Sequence, residues 1–167
     1  MKTQKTTEKN SSNNKDLNIQ DEVVQKNLTF KIADETFGIG IENVTQIIGI
    51  QYITYIPHQP EYVKGVINLR GQIIPVMEVR IKFGKPVVPY DDRTCIIVVR
   101  KDDIQVGLIV DRVSEVLNIR ESEIAQTPNF NDSVKIKYIS GIAHQNNDVI
   151  ILLDIDKLLE NETIEKQ

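Results

Sequence analysis

The chain has 167 residues, enough for one ordinary domain or for two small lobes sharing an interface, because a chain of this length buries roughly two thirds of its unfolded surface. With no Trp and few aromatic residues, aliphatic Ile, Val and Leu must fill the core, a bias that favours strands. Its 20 basic and 24 acidic residues give a net charge of −4, so no positive field attracts a phosphate backbone, and nucleic acid is not an expected partner.

Residues 1–20 are rich in Lys, Asn, Thr and Ser, a composition that cannot offset ordering entropy by burial and predicts a disordered polar tail. From Leu28 the pattern changes. Leu28, Phe30 and Ile32 alternate with polar residues, Asp34-Glu35 marks a turn, and Phe37, Ile39 and Ile41 alternate again, which predicts a β-hairpin. Ile41, Val44, Ile47 and Ile48 then recur at helical spacing up to Gly49, predicting a short helix or helical turn with a glycine stop. A second strand, turn and strand follow over residues 61–76, with Gly71 at the turn. The connection over residues 84–93, with Pro86, Pro89 and Asp91-Asp92, reads as a boundary. The closing run from Leu152 to Leu159 ends a strand and starts a C-terminal helix.

The chain also repeats itself. A shift of 69 residues lays Gly38 on Gly107 and carries residues 37–48 over 106–117 with glycine on glycine, acid on acid and aliphatic on aliphatic. A shift of 76 lays Gly65 on Gly141 and residues 73–79 over 149–155. The two shifts differ by seven residues, so the second copy carries an insertion, placed most simply in the polar stretch 127–137. Each copy holds about five short strands, and so small a sheet avoids open edges best by closing on itself. The predicted fold is mainly β: two SH3-like five-stranded barrels in tandem pseudo-repeat, with short helices and a C-terminal helix. Lobe one spans about 27–85 and lobe two about 92–161, within a domain over 21–161 and ahead of a short tail at 162–167; exchange of terminal strands between the lobes stays open.

Catalytic chemistry finds little support. His58 and His144 lie far apart on turn-like stretches with no ligand or nucleophile beside them in sequence. The single cysteine, Cys95, excludes an internal disulfide, leaves a structural zinc site short of ligands, and opens an apolar strand in which an inert core thiol is expected. Glu42 and Asp111, like Glu78 and Asp154, occupy matching places in the two copies, which points to a shared structural job such as charging a helix N-terminus. Gly38-Ile39-Gly40 lacks the rest of a phosphate-cradling loop. No metal, cofactor or catalytic residue is expected, which favours a binding module over an enzyme. The alternatives from other classes are a small-molecule-binding double barrel, a low-activity hydrolase using His58, Cys95 or a carboxylate pair, and an oligonucleotide-binding barrel. No apolar run reaches the roughly 18 residues of a membrane-spanning helix, and the first residues lack the apolar segment of an export signal, so a reducing cytoplasm is expected and any presence at a membrane comes through a partner.

The two copies part company at one turn. The first presents Asn68-Leu69-Arg70-Gly71 where the second presents His144-Gln145-Asn146-Asn147, so the shared fold does not demand the arginine. An arginine fork on a rigid turn suits a carboxylate or the carbonyls of a helix end. The run Gly65-Val66-Ile67-Asn68-Leu69-Arg70-Gly71, then Ile73-Ile74-Pro75-Val76, resembles the signature of the CheW-type domain family, and residues 106–113 and 153–159 are similar to that family in order and at fitting distances. The resemblance covers about Leu28 to Leu159. It implies two SH3-like barrels and a non-enzymatic adaptor that joins the cytoplasmic tip of a methyl-accepting chemoreceptor to the regulatory domain of a CheA-type histidine kinase, at arrays on the inner face of the membrane. It further implies receptor contacts at Ile41, Val44, Ile47, Asn68, Arg70 and Val98, kinase contacts at Ile53, Thr54 and Tyr55, and structural glycines at Gly65, Gly71 and Gly107. Many relatives carry Glu where this chain has Gln46, so a contact made by that acid would differ here.

Overall fold

Alternating apolar residues make strand β1, Val24–Ile32, which turns back at Ala33 into β2, Glu35–Gly40, with Phe30 opposite Phe37. The structure is a computed structural model that describes residues 22–125 and 137–160. The polar tails expected at 1–20 and 162–167, and the insertion expected within 127–137 except for Lys137, lie outside the described residues. After β2 come β3 (Val44–Gly49), β4 (Val63–Leu69), β5 (Gln72–Glu78), the short helix α1 (Val79–Lys82), β6 (Cys95–Lys101), β7 (Ile104–Val110), β8 (Arg112–Arg120), β9 (Ile124–Ala125), β10 (Ile139–Gln145), β11 (Asp148–Leu153) and α2 (Ile155–Leu159).

One expectation along this path, a short helix or helical turn up to Gly49, holds only in its first three residues. The helical spacing of Ile41, Val44, Ile47 and Ile48 yields only a single 3-10 turn, Ile41–Asn43, and Val44–Gly49 is strand. Val44, Thr45, Ile47 and Ile48 are β-branched, which disfavours helix and suits a pleated edge. A bulge between Val44 and Gln46 explains the misleading spacing, because one extra residue shifts the alternation along the strand. Gly49 ends that strand and is not among the left-handed glycines.

The strands form two mixed sheets. One has five strands in the order β3-β6-β7-β5-β4; the other has six, in the order β8-β1-β2-β11-β10-β9. The sixth strand is β9, whose Ala125 pairs with Ile142; the matching place in the five-stranded sheet holds only the bridge between Thr54 and Val66. The division at 85–92 does not separate the sheets. Strands β1 and β2 belong with β8 and β11, whereas β6 and β7 belong with β3 and β5. Each copy lends its first hairpin to the sheet of the other, and the sequence repeat carries one exchange onto the other: Val76 opposite Gly107 maps onto Leu152 opposite Gly38, both parallel.

The exchange decides where the core sits. Ile97 and Val99 of β6 join Leu28, Phe30 and Ile32 of β1 in one cluster shared by the two sheets, with Phe37, Phe83, Leu108, Leu153 and Leu158. The alternate residues Ile96 and Val98 face a second cluster with Ile67, Ile74, Val76 and Ile109, interior to the five-stranded sheet. Ile119, Ala143, Ile150 and Leu152 fill the corresponding place in the six-stranded sheet. Buried on both faces, β6 and β7 read as near-continuous apolar runs.

Candidate functional site

Of the residues singled out by sequence, Ile41, Val44 and the Arg70 turn fall at one end of the five-stranded sheet. Val44 lies opposite Val99, and Val99 opposite Val106, so β3 begins at the end where β6 turns into β7. Strand β5 runs parallel to β7 and starts at that same end, beside the turn carrying Arg70. Strands β6 and β7 lie between β3 and β5, so the two features stand three strand spacings apart, about 14 Å along the sheet.

On the β3 side, Ile41 is 36% exposed in the turn ahead of the strand and Ile47 46% exposed on the strand itself, whose outer edge pairs with no other strand among the described residues. Val44 is half-buried and packs on the shared core. Val98, expected as a contact residue, is completely buried in the inner cluster. It braces β3 from beneath, where its carbonyl accepts a hydrogen bond from Thr45 Oγ1 at 3.1 Å, and offers no surface. Gln46 is half-buried on the same strand.

Arg70 and Gly71 have φ of +53° and +86°, the paired left-handed geometry of a two-residue type I′ turn. The matching turn of the second copy, Asn146 and Asn147 at +51° and +66°, has the same geometry with residue types that tolerate it. Asn68 supports the turn through Oδ1, which accepts from Gly71 N–H at 2.9 Å, so its amide oxygen is already engaged. Arg70 is exposed and takes part in no hydrogen bond or ion pair among the described residues. Ile73, 65% exposed, stands next to this turn and was not foreseen from sequence. Its counterpart Val149 is 49% exposed, so the shift of 76 could have found the pair.

The segment after β3 carries Ile53, Thr54 and Tyr55. Ile53 packs against the inner cluster, and Thr54 exchanges two backbone hydrogen bonds with Val66 at 2.8 and 2.9 Å. Tyr55 is 75% exposed, and Tyr52, which sequence reasoning passed over, is 86% exposed beside it. Gly65 makes the bridge to Thr54 possible: a Cβ there would lie 2.0 Å from the Thr54 carbonyl oxygen. Gly107 answers to packing instead, since its Cβ would meet Ile96 Cγ2 at 2.7 Å and Val76 Cγ1 at 2.8 Å.

The acids expected to share one job have diverged. Asp154 caps α2, accepting from Lys157 N–H at 3.2 Å. Asp111 instead accepts from Arg80 Nε at 2.8 Å, from Arg80 Nη2 at 2.5 Å and from Ala33 N–H at 2.6 Å. Burial works against its carboxylate, but those hydrogen bonds outweigh it and hold its pKa below the ordinary value. Glu78 is buried and accepts from the Tyr90 hydroxyl; burial pushes its pKa up, only partly offset by that bond. Tyr90 thereby ties the connection between the copies to the end of β5. His58 and His144 are exposed and apart, burial pushes the Cys95 thiol up and away from the reactive thiolate, and no group of three metal-ligating side chains occurs among the described residues. No helix of the described residues is long and apolar enough to cross a membrane.

The family model of the CheW-like domain matches residues 26–163. The chain belongs to the CheW-like domain family. Among CheW-like relatives it is 38% identical over 140 residues to the chemotaxis protein CheW of Klebsiella aerogenes, covering 84% of each chain. It is 36% identical over 141 residues to the chemotaxis protein CheW of Thermotoga maritima, covering 83% of this chain and 90% of that one. The crystal structure of the scaffolding protein TtCheW from Thermoanaerobacter tengcongensis superposes with a TM-score of 0.74 at 34% identity, over 79% of this chain and 90% of that one. The two-sheet architecture is therefore that of a CheW-like scaffold, and the function class is that of a chemotaxis coupling adaptor.

Proposed function

We propose that this chain couples the cytoplasmic tip of a chemoreceptor to a CheA-type histidine kinase, transmitting geometry without chemistry. The observation that carries the reading is Arg70, an exposed guanidinium without a partner among the described residues, placed on a left-handed turn where the sister turn has asparagines. A side chain held in a disfavoured backbone region with no internal use is best explained by an external contact. The receptor tip, a helical structure, lays its apolar stripe along Ile41 and Ile47, with Val44 at the base of that surface, while Arg70 fixes register by hydrogen bonding. Asn68 acts by holding the Arg70 turn. The kinase regulatory domain meets the segment bearing Tyr52 and Tyr55, with Ile53 and Thr54 fixing its backbone. Receptor and kinase bind separate surfaces, so linked contacts gain avidity without tight pairwise affinity, and the adaptor reaches the membrane's inner face through the receptor.

The test is co-sedimentation with a receptor cytoplasmic fragment and a CheA-type kinase, each alone and together. Retention by both, strengthened in the three-way mixture, is the expected result. Retention by neither sinks the coupling reading.

A further inference from the structure

The two copies differ in one charged pair. In one half of the molecule Arg80 grips Asp111 through both Nε and Nη2, and its Nη1 donates to the Pro86 carbonyl at 3.0 Å. The repeat carries Arg80 onto Asp156 and Asp111 onto Glu42. The other half therefore has two carboxylates where the first has a guanidinium and a carboxylate. Glu42 and Asp156 line one cleft of about 300 Å³ between the Ile41–Asn43 turn and the start of α2, together with Asp154. The Glu42 carboxylate lies back over Gly40, 2.3 Å from where a Cβ would stand, and has no hydrogen bond or ion pair among the described residues. Asp154 is engaged by Lys157 N–H, and Asp156 faces Lys101 Nζ at 3.2 Å in an exposed pair that holds little energy.

Asn27 also lines this cleft. It is 4% exposed, and its Nδ2 donor has no hydrogen-bond partner among the described residues. In the other half the matching residue is Ile96, so the buried amide belongs to this cleft and not to the shared fold. A buried donor without an acceptor is costly unless something supplies one.

We infer that the cleft takes an arginine of the docked receptor helix, the partner supplying to Glu42 and Asp156 the guanidinium that Arg80 supplies to Asp111 from within the chain. A planar fork of donors matches paired carboxylates better than a point charge does. A peptide also carries carbonyl oxygens, the acceptor type that Asn27 lacks, whereas a bare cation carries none. The inference rests on the docking reading above, because Ile41 of the receptor surface adjoins Glu42 in the same turn.

The experiment measures binding of a soluble chemoreceptor cytoplasmic fragment to three full-length variants. Asp156→Arg places an internal guanidinium beside Glu42 but faces Lys101 at the start of α2; it is expected to keep the fold, with at most a small loss of melting temperature, while weakening the fragment at least about tenfold. The double variant E42Q/D156N changes charge with little change of shape, and is expected to weaken the fragment by about tenfold and to flatten the salt dependence of binding. Ile47→Asp reports on the docking surface itself. If Ile47→Asp loses the fragment while the other two bind it as the parent does, the arginine inference is overturned and docking stands. If Ile47→Asp also binds normally, the docking reading fails and the inference falls with it.

Discussion

Arg70→Asn separates what the fold wants at the first hairpin turn from what a partner wants. A residue with a Cβ in the left-handed region is disfavoured by roughly 1–2 kcal/mol, and Asn recovers part of this by local hydrogen bonding. With Gly71 already at φ +86°, the substitution creates Asn-Gly, the favoured sequence for this turn type. Arg70 makes no internal hydrogen bond or ion pair among the described residues, so its removal forfeits none of these. The variant should therefore be more stable by about 0.5–1 kcal/mol, a rise of about 1–4 °C in melting temperature by calorimetry. The same change should weaken a chemoreceptor fragment by about 1–3 kcal/mol in isothermal titration, the range of an arginine hot spot. Opposite signs from one substitution are the signature of a residue kept for binding. A variant that is less stable, or that binds the fragment as tightly as the parent, refutes the reasoning.

Ile47→Asp should keep the fold, lowering the melting temperature by no more than about 4 °C because Ile47 is 46% exposed on an edge strand, and should abolish co-sedimentation with receptor; it is a cleaner probe than Val44, whose packing on the shared core would confound a charge. Gly65→Ala drives a methyl into the Thr54 carbonyl at a backbone φ of +146°, and chemical denaturation should show a loss of more than about 3 kcal/mol; a loss under about 1 kcal/mol would contradict the close approach. Glu78 has a folded pKa raised above its unfolded value, so its contribution is fully present below the unfolded pKa and is lost as pH rises through the folded one. Glu78→Gln should remove that decline from a stability profile above pH 4, whereas Tyr90→Phe, which leaves the buried carboxylate short of a donor, should steepen it and destabilise at neutral pH by about 1–3 kcal/mol. Asp111 runs the other way: its folded pKa is lowered, so its stabilisation is present above the unfolded pKa and lost as pH falls through the folded one, and Arg80→Met should erase that acid limb of the profile.

How much of this was legible depended on whether the signal was local. The alternation of Leu28, Phe30 and Ile32 gave the first hairpin, because it is local to one strand, and the match of Gly38 with Gly107 gave the duplication, because a repeat is visible by sliding the sequence along itself. The assignment of hairpins to sheets was not legible, since alternation says that a strand buries a face but not which strand lies beside it. The β3 bulge disguised a strand as a helix in the same way that any inserted residue breaks a period of two. At the site, Arg70 stood out because the sister turn lacks it, whereas Val98, implied only by the family resemblance, is fully buried, and the apolar run of β6 by itself does not tell which of its residues reach the surface. Tyr90 and Glu78, twelve residues apart and joined only by the folded connection, left no periodic trace.

The reciprocal exchange of hairpins bears directly on coupling. Two tandem barrels joined by a connection of about ten residues would move as beads, and a receptor bound to one would fix nothing about a kinase bound to the other. Here β1 and β2 complete the sheet of the second copy while β6 and β7 complete that of the first, so four of the chain's central strands bury side chains in both sheets' shared cluster. Neither sheet can shift relative to the other without opening that core, and the Arg80–Asp111 pair with the Tyr90–Glu78 tie holds the connection against it. A close-packed body of this kind is stiff, so the proposed receptor surface at Ile41, Ile47 and Arg70 keeps a constant orientation to the segment bearing Tyr52 and Tyr55, the proposed kinase side. That constancy is what an adaptor needs if it passes on the position of one partner to the other, and it follows from which strands pair, not from any property of the contact residues themselves.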